Sequence, residues 1–423
     1  MYFKLLYVFI FIISYSFGQT FHSRNMLISS ETMIMSAKGN AMGNTGMMVD
    51  DNAFWTFSNP AALSGLQDVS ISFKGSMNRY KEHRSIKVHD YFGDFLADAS
   101  YVFNNDNNFY NGIAISSPIF YNNLVIGLSN LPFHNFNYNY VEEVHDASFD
   151  LNKDPLVGYH IQKTSGLLYA LSFGFGAKIK DYPLLIFDNL SFGFSYNRIH
   201  SGNIFSNSSI IIDKIKSVVV LAESDNLASD ESYADTSIIN LESRDFINYG
   251  LKTNLYKNIV FSINCREEIN TIDKNSLAYV IPEKISMGIM LNPRQEIPAS
   301  IVFGYDIQNY SSIDSIFNNK VNLYDKKTYH FGIEYINTES AIRAGMIYQN
   351  SPFQRDLDES IFTFGYGKSI NQLLIDIAVH YSNISYSYLD QFIPDGDISN
   401  PDQYEKISES NIGFSISLSY NLK

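Results

Sequence analysis

The chain has 423 residues, of which only 17% are charged, below the ~25% of ordinary globular proteins. Its net charge of −14 excludes a nucleic-acid partner, which needs a basic footprint, and its single cysteine, Cys265, excludes an internal disulfide and zinc clusters of the CxxC type. Near-neutral mean hydropathy excludes a helical membrane protein and leaves a membrane barrel open, because alternation there dilutes the apolar positions.

Residues 1–18 read as a signal peptide. Lys4 supplies the positive region, 5–13 are apolar, and Ser16 and Gly18 place small residues for cleavage after Gly18. Residue 19 is Gln19, so a lipoprotein anchor has no attachment point. Beyond it no run of about 20 apolar residues occurs, so no membrane helix is expected.

Residues 19–66 alternate poorly. Met26, Met33, Met35, Met42, Met47 and Met48 cluster there with Gly39, Gly43, Gly46 and Trp55. The segment reads as an irregular element packed on something else, its methionines filling gaps or lining an apolar path. In Asn59-Pro60-Ala61-Ala62-Leu63, Pro60 forces Asn59 into extended geometry and suits a short helix beginning near Ala61.

From residue 68 onward the chain reads as strands. Val69, Ile71 and Phe73 alternate with Ser70, Ser72 and Lys74, and Leu171, Phe173 and Phe175 with Ser172, Gly174 and Gly176. Leu190 to Tyr196, Ile301 to Ile307, Tyr329 to Tyr335, Phe362 to Tyr366 and Ile412 to Leu422 repeat the pattern. One face is large and apolar, the other small, rich in Gly and Ser. That suits lipid outside and a polar lumen inside, with about nine to eleven residues per crossing. About fifteen candidates are visible; closed bacterial barrels have an even number, so fourteen strands are expected, with sixteen the alternative.

In the C-terminal half short links at 256–258, 293–298, 337–340 and 369–371 alternate with longer polar segments at 267–283, 311–326, 351–359 and 384–408. Short periplasmic turns and long external loops account for this and place the C-terminus in the periplasm. The N-terminal half is less regular: 80–95, 131–163 and 201–246 read as long connections, with extra strands offered at 124–131 and 155–161.

Tyr121, Phe133, Phe136, Tyr138 and Tyr140 lie around one expected external loop, either as a capture surface for a lipid tail or aromatic ring, or as an aromatic girdle. Asp395, Asp397 and Asp402 surround Gly396 without the full EF-hand pattern and read as solvated loop acids. No HExxH or GxSxG motif occurs, so neither metal, cofactor nor enzymatic chemistry is expected. Lys178, Lys180, Glu334, Arg343 and Asp376 are expected to pair across the lumen or with the N-terminal segment.

Residues 36–46 (SAKGNAMGNTG), Asp50-Asp51-Asn52-Ala53 and Asn59-Pro60-Ala61 resemble the N-terminal hatch of the FadL family. Residues 281–289, 330–335, 342–346, 364–367 and 375–378 follow in that family's order. The resemblance implies an all-β fold: a transmembrane antiparallel β-barrel over 67–423 with a plug formed by 19–66. Gly39, Gly43, Gly46, Asn59, Pro60 and Ala61 carry the plug motif. It further implies a bacterial outer membrane location, membrane lipid and a hydrophobic small molecule as partners, and passive uptake of long-chain fatty acids or aromatic hydrocarbons. The hatch also resembles PorV-type barrels of the type IX secretion system, which would make secretion-system proteins the partners. An outer-membrane esterase is a third, more distant reading.

Overall fold

The computed structural model describes residues 30–33, 35–120, 123–145, 156–180, 187–201, 210–220, 233–241, 243–255, 258–272, 278–292, 298–317, 323–355, 357–389 and 404–422. The signal segment, Tyr121 and the acids of 395–402 lie outside them.

Alternating large and small residues produce fourteen antiparallel strands that close on themselves. They are β1 (Val69–His89), β2 (Phe95–Phe120), β3 (Leu124–Asn135), β4 (Leu167–Lys180), β5 (Phe187–His200), β6 (Asp245–Leu255) and β7 (Ile259–Arg266). The second half comprises β8 (Lys284–Leu291), β9 (Ala299–Gln308), β10 (Lys326–Asn337), β11 (Ser340–Asn350), β12 (Asp358–Ile370), β13 (Leu373–Leu389) and β14 (Tyr404–Leu422). Each pairs with the next, and β14 closes on β1 from Val69↔Leu422 to Ser85↔Lys406. Closure removes the free edges that lipid would leave unsatisfied. No helix among the described residues is long and apolar enough to cross a membrane.

The two faces divide as the alternation predicts. On β14, Ile412, Phe414, Tyr420 and Leu422 are exposed, whereas Ser415, Ser417 and Ser419 are buried. Tyr305, Tyr329 and Tyr348 stand side by side on β9, β10 and β11, with ring centroids 5.2 and 6.2 Å apart. Such a row is the aromatic girdle of a membrane barrel. Phe364 is 61% exposed on the apolar belt. Phe364→Arg there is expected to destabilise the barrel by about 2–4 kcal/mol, read as a lower urea midpoint in lipid vesicles.

The expected connection at 80–95 is mostly strand, since β1 runs to His89 and β2 starts at Phe95. Beyond Tyr80, Lys81 and His83 point outward and Glu82 and Arg84 inward. Both faces are polar, so the hydropathy signal vanishes while the ladder continues. Candidate strand 124–131 is β3. Candidate 155–161 is a strand, Leu156–Ser165, outside the barrel. It belongs with Tyr138–His145, Ile210–Val220 and Tyr233–Leu241 in a sheet that joins β2 at Val102↔Glu142. Segment 267–283 holds a small hairpin, Ile269–Ile272 with Ala278–Ile281.

The described part of 19–66 folds as α1 (Ala37–Ala41), α2 (Gly46–Val49), α3 (Trp55–Ser58) and a 3-10 turn, Pro60–Gly65. These buried elements touch the inner faces of β3 to β8 and β11 to β14.

Candidate functional site

The N-terminal segment is tied together before it meets the wall. The Ser36 hydroxyl caps α1 by accepting from Gly39 N at 3.1 Å. Asp50, at the end of α2, accepts from Ser36 N at 3.0 Å and from the Ser36 hydroxyl. Helices α1 and α2 touch through glycines: a Cβ on Gly39 would lie 2.5 Å from Gly46 Cα. Trp55 Nε1 donates to Gly46 O at 2.9 Å. Gly43 has φ +68°, and a Cβ there would lie 2.3 Å from Phe331 O on β10.

The Asn-Pro-Ala motif fastens the segment to the wall. Asn59 is extended (φ −164°) and Pro60 opens the 3-10 turn, as its fixed φ favours. Asn59 Nδ2 donates to Met47 O at 2.9 Å and to Ser262 Oγ on β7 at 2.7 Å. Ala61 lies so close to β5 that a Cβ on Gly193 would be 2.2 Å from its nitrogen. Elsewhere small polar wall residues serve the segment's backbone. Ser417 Oγ accepts from Ala37 N at 3.1 Å, and Thr363 Oγ1 accepts from Gly43 N at 3.0 Å. Asn248 donates to Phe57 O at 2.8 Å, and Lys74 donates to the Met33 and Met35 carbonyls. Arg343 joins its ladder neighbour Glu334 at 2.8 Å and Asp376, two strands away, at 2.6 Å, so these three pair along the wall rather than across the lumen. Met42, Met47 and Met48 pack against Val260 and Val302 as gap-filling side chains.

The aromatics proposed as one exposed capture surface are not arranged that way. Phe133 and Phe136 are buried with Phe54, Phe57 and Phe246, Phe133 stacking on Phe246 at 5.7 Å. Tyr138 and Tyr140 are buried in a separate cluster with Tyr80 and Val102. Their hydroxyls donate to Glu82 at 3.0 Å and Glu142 at 2.7 Å. Arg84 pairs with Glu82 at 2.7 Å and Glu405 at 3.0 Å beside them.

The physical reason is a bend in β3. Its ladder with β2 ends at Ile113↔Asn130, and its register with β4 shifts between Pro132 and His134. Proline lacks the donor a ladder needs and is found in sheets at such irregularities. Residues 131–136 are all buried, so they leave the lipid-facing surface. The edge left by β2 is taken by the N-terminal strand, with Ser30↔Asn135 and Glu31↔His134. Thr32 N donates to Phe133 O at 3.0 Å and Thr32 Oγ1 to Pro132 O at 2.6 Å.

Glu31 then meets Arg266 at 3.0 Å and Lys284 at 3.2 Å, and Lys284 meets Asp306 at 3.0 Å. Burial alone would raise the Glu31 carboxyl, but Lys284 and then Arg266 hold it down at about 2. Its stabilisation is therefore complete above the ordinary 4.5 and is lost as pH falls towards 2. A spin label at Ser30 is expected to stay immobile at pH 4.5 and to gain mobility only near pH 2. Two cavities adjoin Glu31, of about 50 and 230 Å³, the larger lined mainly by polar residues such as Asn78, Asn108 and Gln349. Sequence reading missed Glu31, Arg266, Lys284 and Asp306; only Pro132 inside a strand pattern signalled the bend. No group of three His, Cys, Asp or Glu suited to a metal occurs among the described residues.

No protein-family model matches the chain, and no curated protein matches it. Solved structures do. The Pseudomonas aeruginosa FadL homologue superposes with a TM-score of 0.64 at 12% identity, covering 94% of this chain and all (100%) of that one. The P. putida toluene transporter TodX gives 0.53 at 12% identity over 88% of this chain and 94% of its own. The Ralstonia pickettii toluene transporter TbuX gives 0.53 at 12% identity over 92% and 99%. Two of these neighbours are toluene transporters, and none of the three supports the secretion alternative. The chain has the fold of the FadL homologue and the toluene transporters: a closed fourteen-stranded antiparallel barrel with its N-terminal segment packed against the inner wall.

Proposed function

We propose that this chain is a passive outer-membrane channel, without enzymatic activity, for hydrophobic small molecules such as long-chain fatty acids or aromatic hydrocarbons. The observation that carries the reading is the inward bend of β3, which ends its ladder with β2 at Ile113↔Asn130 and carries Phe133 and Phe136 into a packed aromatic core. An apolar solute must cross a polar surface layer before it reaches hydrocarbon. Apolar burial returns about 25 cal/mol per Å², so a solute entering the Phe57–Phe133–Phe246 core is stabilised on the way. Residues 36–65 act as the plug that closes the straight route, which leaves the sideways route between β2 and β3 into lipid. The gradient drives flux, since no energy-coupling motif is present in the sequence. That two of the similar structures are toluene transporters supports an apolar solute.

Uptake of labelled hexadecanoate and toluene by cells with and without the gene tests this directly. Loss of either flux on deletion is expected; two unchanged fluxes would refute the reading. Pro132→Val, which restores a ladder donor, is expected to slow uptake several-fold while the barrel still folds.

A further inference from the structure

The outward face of β1 changes character along its length. Ile71, Phe73 and Met77 are exposed and apolar, as the lipid belt requires. The next three outward positions are Arg79, Lys81 and His83, so the apolar column passes directly into a basic row. Alternate residues of a strand lie about 6–7 Å apart, which makes the row about 13 Å long, the scale of a head group rather than of one small ion.

Neighbouring strands keep this row free of acid. Arg79 stands between Ile412 of β14 and Asn107 of β2, and Lys81 between Ser410 and Asn105. Arg79 Nε donates to Asn105 Oδ1 at 2.8 Å. Among the described residues neither Arg79 nor Lys81 meets a carboxylate. Outward charges elsewhere are partnered: Arg198 faces Asp245 at 3.9 Å, and Asp358 accepts from the Tyr348 hydroxyl. Further along the same wall Lys406 meets Asp98 at 2.9 Å.

The height of the row identifies its occupant. Tyr381 of β13 pairs with Ile412, which pairs with Arg79, so Arg79 lies at the level of an exposed aromatic. Aromatics of this kind sit at the head-group layer. One step towards the belt, exposed Phe109 and Phe414 flank Met77. A tail lying on those three side chains brings its head group to Arg79 and Lys81. In a chain of net charge −14, cations without carboxylates at this one level complement an anionic lipid.

We propose that Arg79 and Lys81, with His83 beyond them, seat the phosphate-bearing head group of a membrane lipid whose tails lie against Met77, Phe109 and Phe414. The guanidinium fork suits two phosphate oxygens, and the ammonium adds a point charge. Asn107 and Ser410 offer hydrogen-bonding groups to the rest of the head group. A lipid held there braces β14 against β1, the seam at which the barrel closes. The inference rests on the membrane reading of the barrel and not on the solute it carries.

The test is native mass spectrometry of the full chain in mild detergent, titrated with diphosphorylated lipid A or with the same lipid freed of phosphate. A stoichiometric adduct with the phosphorylated form is expected, and binding of the other form weaker by about tenfold. Arg79→Gln combined with Lys81→Gln is expected to weaken the phosphorylated form by about tenfold as well. Lys327→Gln, which removes an exposed cation from β10, is expected to change nothing. Excess inorganic phosphate should not displace the adduct, because it has no tails; complete displacement would overturn the lipid as occupant. Gel mobility of the unheated barrel confirms that each variant is folded. Equal retention of the two lipid forms, a double variant that binds like the parent, or an equal loss in Lys327→Gln would overturn the seat and leave the uptake reading standing. Retention of neither lipid by any variant, together with unchanged uptake on gene deletion, would overturn the two together.

Discussion

Deleting residues 30–64 is expected to convert a closed barrel into an ion-conducting pore. In planar bilayers the intact chain should pass little current, and the truncated chain should show porin-like steps. The expectation follows from how the segment is held. Its backbone lies against the wall at van der Waals limits, and polar wall residues take its amides: Ser417 at Ala37, Thr363 at Gly43, Asn248 at Phe57. A smaller change should act the same way. A Cβ on Gly345 of β11 would lie 2.2 Å from Gly43 N, backbone that cannot move aside cheaply. Gly345→Val should therefore displace α1 and raise conductance without preventing barrel closure. Gly75→Ala is the matched control, since its Cβ would meet only Ile416 Cγ2 at an ordinary 3.7 Å or Phe73 beyond it. Unchanged conductance in the truncated chain would show that this segment does not close the lumen.

Arg84→Met is expected to loosen the part of the molecule above the membrane belt while sparing the belt itself. Arg84 is fully buried, pairs with Glu82 at 2.7 Å and Glu405 at 3.0 Å, and lies 4.9 Å over the Tyr140 ring. Removing one partner of a buried ion pair costs about 3–5 kcal/mol, because the remaining charges lose their compensation. The sheet containing Tyr138–His145 joins β2 in this cluster. Limited proteolysis should then cut within 138–165 many times faster than in the parent chain. Arg84→Lys should rescue only partly, because an ammonium cannot reproduce the two-sided fork. Proteolysis unchanged in Arg84→Met would show that the cluster is incidental to docking of that sheet.

Much of the barrel was legible because lipid outside and small side chains inside impose period two. In β4, β5 and β14 large residues face out without exception over the central turns of the ladder, and any such stretch betrays itself. The outer half of β1 was not legible, because Lys81 and Glu82 are both polar although they face opposite ways. The accessory strands were hidden for a similar reason: their faces are not sorted between lipid and lumen. The Asn59-Pro60-Ala61 motif announced its turn through proline, but its partner Ser262 lies 203 residues away and no local pattern points to it. Gly193 read as a member of the small face, yet alternation says only which face is small, not that the N-terminal segment rests on it. The aromatics expected around one loop divide between two buried clusters, because β3 bends at Pro132 and carries Phe133 and Phe136 inward. Glu31 meets Arg266 and Lys284 across 235 and 253 residues, a pairing that closure of the barrel creates.

The most direct test of the central claim is native mass spectrometry of the protein extracted in mild detergent from its own membrane. A stoichiometric fatty acid or hydrocarbon, displaced by a competitor and lost in a variant with Phe133 and Phe246 both changed to Asn, is the predicted result. An empty barrel that instead brings secreted proteins or secretion machinery with it would contradict the account.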